Sequence, residues 1–126
     1  MPVRSRAFPS SPAATAAARR FVRERAGDLD ADILADALLL TNELVTNVIK
    51  HAGHRPEDPI EVVISLDEPV LKVTVRDRGP GFDRATRRQR TEEGGWGLDL
   101  VKALASRWGV ERTASGTDVW FEIDRS

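Results

Sequence analysis

A chain of 126 residues with no cysteine and a formal net charge of −1 can bury roughly two thirds of its unfolded surface in one domain, and it has no use of disulfides, zinc–thiolate sites or thiol catalysis. A charge so near neutral argues against broad capture of nucleic acid or of an anionic membrane, because both need a concentrated basic face. No apolar run approaches the roughly 18 residues of a membrane span, and Met1-Pro2-Val3-Arg4 is not followed by the apolar core of a signal peptide, so a cytoplasmic protein without direct nucleic-acid or membrane contact is expected.

Residues 3 to 8, VRSRAF, alternate weakly and suit an edge strand. Pro9-Ser10-Ser11-Pro12 breaks the chain, supplies a cap and leads into Ala13 to Ala26, an alanine-rich run of high helix propensity with Gly27 as its stop. After the joint Asp28-Leu29-Asp30, a second helix starts near Asp30 or Asp32, acids suited to a helix N-terminus, and runs to Gly53. Its side made of Leu40, Leu44, Val45, Val48 and Ile49 is wholly apolar. Gly53 to Pro59 is a turn-rich loop.

Two strands follow, at 60 to 66 and 70 to 77, joined by Asp67-Glu68-Pro69 as an antiparallel hairpin. Arg84 to Glu93 is polar and aperiodic, which fits a mobile loop carrying Arg84, Arg87, Arg88 and Arg90. Gly94-Gly95-Trp96-Gly97 opens a third helix, Leu98 to Ser106, with Leu98, Val101, Leu104 and Ala105 on one face. The last strands, near Trp108 to Thr113 and Asp118 to Ile123, flank Ala114-Ser115-Gly116-Thr117 as a hairpin turn.

This order predicts a single domain over residues 1–126 of the α+β class. The architecture is a two-layer α/β sandwich whose mixed, mainly antiparallel sheet is covered on one face by helices. A Rossmann arrangement fails on connectivity, because it needs a glycine-rich turn after the first strand and the glycines here follow the third.

Three stretches can carry chemistry. On the second helix, Glu43 and Asn47 lie about 40° apart around the axis and one turn from each other. A carboxylate and a carboxamide therefore point the same way, able to present a general base and a metal ligand to one ligand. The alternative is a solvated polar face. Asp77-Arg78-Gly79-Pro80-Gly81 puts a carboxylate at a strand end before a turn whose two glycines permit close approach of a ligand. A buried carboxylate there selects an exocyclic amine such as that of adenine; alone, the motif also fits an ordinary acidic turn. Gly94-Gly95-Trp96-Gly97-Leu98 leads into a helix, where free backbone N–H groups and the helix dipole favour phosphate, and it equally fits a flexible loop with a cap.

Taken together and in this order, the three stretches resemble the N box and the two glycine boxes of the GHKL ATPases, whose shared ATP-binding sandwich is the Bergerat fold. The resemblance spans about Arg19 to Ile123. The form Asn-Glu-Leu-Val-Thr-Asn-Val-Ile-Lys-His-Ala and the ending Gly-Thr-Asp-Val-Trp-Phe-Glu-Ile look like the stand-alone anti-sigma-factor serine/threonine kinases. The resemblance implies that Asn47 coordinates Mg²⁺ bridging the phosphates of ATP, that Glu43 is the catalytic base and that Lys50 reaches a phosphate. It implies that Asp77 reads the adenine amine, that Gly79 and Gly81 admit the base, and that Gly95, Gly97 and the N–H of Leu98 hold phosphate. Thr117 stands where the family often has a threonine near adenine. Trp96 departs from the small or basic residue often found between those glycines, which leaves only a backbone role for it. His51 reads as a boundary histidine, His54 as a loop residue, and Trp108 and Trp120 as core or interface residues.

The expected function is an ATP-dependent anti-sigma factor that phosphorylates a serine or threonine of a small antagonist protein and sequesters a sigma factor. A homodimer formed through the first strand and helix is implied by the same resemblance. An ATP-gated adaptor, or a slow ATPase that transfers nothing to protein, is the alternative; Glu43 favours transfer, because an adaptor has no chemical need of a base. A fragment of a larger ATPase machine is not expected, since no transducer domain follows Ser126.

Overall fold

Every second residue of the central strands is apolar, and that alternation turns one face of the sheet toward the helices. The computed structural model describes residues 3–51, 59–67, 69–77, 99–113 and 116–125. In chain order they form β1 (Val3–Pro9), α1 (Ala13–Ala26), α2 (Ala31–His51), β2 (Pro59–Ser65), β3 (Val70–Asp77), α3 (Asp99–Leu104), β4 (Arg107–Thr113) and β5 (Gly116–Asp124). The strands make one five-stranded sheet in the order β1-β2-β3-β5-β4. Each of these pairings is antiparallel, and β1 takes the edge position that its weak alternation suggested.

The register stacks the buried side chains in rows across the sheet. Ile64, Val73 and Phe121 form one row, and Val62, Val75 and Val119 the next. All six are at most 1% exposed. Above them lie α1, through Ala14, Ala18, Phe21, Val22 and Ala26, and α2, through Ala37, Leu40, Leu44, Val45 and Val48. The apolar side expected for α2 is thus its buried side, with Ile49 packed at the margin.

Local chemistry sets the helix ends. Asp30 caps α2: its Oδ1 accepts the N–H of Asp32 at 2.9 Å, and its backbone oxygen accepts the N–H of Leu34 at 2.9 Å. The entry to α1 differs from expectation, because no side chain of the Pro9–Pro12 stretch caps it. Pro12 already holds a helical φ of −55°, and the Ser11 carbonyl accepts the Ala14 N–H at 2.9 Å, so the first turn closes on backbone alone. Gly27 ends α1 as expected, in a right-handed conformation. α3 stops at Leu104, short of Ser106, because the Ser106 N–H donates to the Glu122 carbonyl at 2.8 Å and so belongs to the sheet.

The sheet face turned away from the helices carries Trp120, whose ring lies under the Lys72 ammonium at 4.7 Å and close against Gly109. Beside it, Arg76 pairs with Asp118 at 3.2 Å and with Glu61 at 3.7 Å. No helix among the described residues is long and apolar enough to cross a membrane.

Candidate functional site

The alternation that buries Leu71, Val73 and Val75 continues for one more step and buries Asp77, the last residue of β3. The carboxylate is therefore turned to the helix-covered side of the sheet and is only 1% exposed. Its register partners are Ile60 on β2 and Thr117 on β5, so this row across the sheet reads Phe8, Ile60, Asp77, Thr117, Arg112. Thr117 is 1% exposed as well, and its Oγ1 is buried without a hydrogen-bond partner among the described residues. A hydroxyl buried without a partner costs free energy in the ligand-free fold. Two buried polar side chains thus stand side by side at the end of the helix-covered face of the sheet.

The position of Thr117 corrects its expected place in a hairpin turn. Thr113 already pairs with Gly116, so β5 begins two residues before Asp118 and brings Thr117 into the ladder opposite Asp77. Strand pairing on both sides extends β5 beyond the point that local turn chemistry suggested.

The second group of candidates lies on α2, which packs over β3 and β5. The helix is continuous from Ala31 to His51, so Glu43 and Asn47 stand one turn apart with a rise of about 6 Å. Asn47 is buried, at 8% exposed, while Glu43 is half-buried and Lys50 is exposed. This gradient places the carboxamide against the body of the protein and leaves the carboxylate reachable from outside. Among the described residues no group of three His, Cys, Asp or Glu side chains could hold a metal ion.

Gly79, Gly81, Gly95, Trp96, Gly97 and Leu98 lie outside the described residues, as do His54, the Arg84–Glu93 stretch and the side chain of His51. Two features were not anticipated. Thr41 on α2 is fully buried, with no hydrogen-bond partner for its Oγ1 among the described residues; apolar Ala37 and Val45 four residues to either side were the signal for it. Arg19 of α1 donates from Nη1 to Oδ1 of Asn42, the residue before Glu43. A shallow cleft lined by Arg4, Glu24, Arg25, Ile64 and Leu66 lies at the other end of β2 from Ile60. The guanidinium of Arg107 is held protonated, its pKa raised by hydrogen bonds to Asp124 and then Glu122, at the end of β5 remote from Thr117.

Residues 8–123 match the family described as the histidine kinase-like ATPase domain. The chain belongs to this family. The GHKL assignment made from the three stretches thus stands, and with it the ATP-binding character of the domain. Among known proteins the chain is similar to the serine-protein kinase RsbW of Staphylococcus aureus. Against that of strain MRSA252 it is 31% identical over 100 residues, which cover 68% of this chain and 63% of the relative. The RsbW of strain Newman matches with the same identity and coverage. The chain thus spans less than two thirds of the length of these relatives.

Proposed function

We propose that this histidine kinase-like ATPase domain is an ATP-dependent protein serine/threonine kinase of the anti-sigma type. It would phosphorylate a small antagonist protein and sequester a sigma factor, with release governed by the antagonist's phosphorylation state. The observation that carries the reading is the pairing of a reachable Glu43 with a buried Asn47 one turn away, on a helix anchored in the core. Similarity to serine-protein kinases supports the choice of acceptor.

In this reading the adenine ring enters the sheet row of Asp77 and Thr117. The Asp77 carboxylate accepts from its exocyclic amine, and the Thr117 hydroxyl gains the partner it lacks among the described residues of the ligand-free fold. Gly79 and Gly81 admit the base, while Gly95, Trp96, Gly97 and Leu98 offer backbone N–H groups to phosphate and Lys50 adds charge. Asn47 would hold Mg²⁺ through its carboxamide oxygen, and the bound ion supplies neutralisation of phosphate charge. Glu43 takes the proton of the acceptor hydroxyl as its oxygen bonds to the γ-phosphorus. The bond to the β–γ bridging oxygen breaks, and ADP departs with that electron pair. Two copies of the chain pairing through β1 and α1 would form the working dimer, β1 being the edge strand in the observed order.

The test is transfer of label from γ-labelled ATP in a lysate of the source cells, comparing the protein with Glu43→Ala. Label on one small protein that depends on Glu43 is the expected result. Absence of label on protein, with ATP binding intact, would instead make the domain an ATP-gated adaptor.

A further inference from the structure

Of the four arginines on α1, Arg20, Arg23 and Arg25 are exposed, whereas Arg19 is half-buried and turned toward α2. There it donates to Asn42, also half-buried, which is joined directly to Glu43. Asparagine is a poor helix former and gains nothing from the middle of a helix unless its side chain is used.

We propose that Arg19 and Asn42 form a latch that sets the rotation of α2 about its own axis, making Arg19 a positioning residue for Glu43. The inference rests on the role of Glu43 as base given above. Most of the buried side of α2 is aliphatic, with Leu40, Leu44, Val45 and Val48 at 0–1% exposure beside the buried Thr41 and Asn47, and the attraction between aliphatic surfaces is non-directional. A hydrogen bond from a guanidinium is directional and stronger than a neutral one. With side chains reaching about 5–6 Å from the helix axis, a rotation of about 10° moves a carboxylate by about 1 Å. A displacement of about 1 Å is enough to cost up to about a hundredfold in rate. Because Glu43 and Asn47 share the helix, the latch orients both, yet only the base has to meet a reacting atom with that accuracy.

Single-turnover loss of the γ-phosphate from labelled Mg-ATP, with water as acceptor and protein in excess, reads the latch without any partner protein. Arg19→Ala and Asn42→Ala are each expected to slow this step about three- to thirtyfold while the Kd for ATP stays within about twofold. The double variant should be no slower than the slower single one, and Arg19→Lys, which keeps a cationic donor, should recover part of the rate. Unchanged rates, losses that multiply in the double variant, or losses confined to ATP affinity would remove the latch and leave Glu43 as base. An unaltered protein no faster than Glu43→Ala would remove Glu43 as base and the latch with it.

Discussion

Replacing Thr117 by valine sets stability against binding at one atom. The hydroxyl is buried at 1% exposure and unpartnered among the described residues, while the strand around it pairs with β3 on one side and β4 on the other. Valine keeps the branched shape and the strand preference, so the change amounts to exchange of one hydroxyl for a methyl group. An unsatisfied buried hydroxyl costs about 1–3 kcal/mol, and the ligand-free variant is expected to be more stable by about 1 kcal/mol or more. For a domain of this size that raises the melting temperature by about 4 °C per kcal/mol. The same variant should bind ATP about tenfold more weakly, equivalent to about 1.4 kcal/mol, because the adenine edge then faces a methyl group. Differential scanning fluorimetry without nucleotide and titration calorimetry with Mg-ATP measure the two effects on one preparation. A variant less stable than the parent would show that the hydroxyl is satisfied in the fold. A stabilised variant with unchanged ATP affinity would show that Thr117 is not part of the nucleotide site.

Two further substitutions probe the site and the sheet. Asp77→Asn should weaken ATP binding by at least about tenfold and relax the preference for adenine over guanine, because the amide offers a donor where the carboxylate only accepts; calorimetry with ATP and GTP reads both. Gly109→Ala should destabilise the fold by about 1–3 kcal/mol, because an added Cβ would lie 2.7–2.8 Å from the Trp120 ring atoms, and urea unfolding followed by tryptophan fluorescence checks it.

Most elements were legible from local pattern, and the reason is that their causes are local. The alternation of VLKVTVRD, the aliphatic side of α2 and the high propensity of the Ala13–Ala26 run each repeat within a few residues, so the chain states them without help from distant partners. The same locality explains the errors. Local turn signals put Thr117 in a loop, whereas pairing with β3 and β4 makes it part of a strand. The serines before α1 suggested a side-chain cap, but the helix starts on Pro12 and a backbone carbonyl.

By itself the sequence determined which residues carry charge and amide chemistry, their spacing along one helix, and the apolar faces that had to be buried. Only the tertiary structure decided which of them meet. Asp77 faces Thr117 because the register between β3 and β5 aligns Val73 with Phe121 and Val75 with Val119, and a slip of one residue by either strand would put the two polar groups on opposite faces. Arg19 reaches Asn42 because two helices, each amphipathic by its own pattern, share one core. Register and helix packing depend on the summed burial of many side chains far apart in the chain, and no short window of sequence contains that sum.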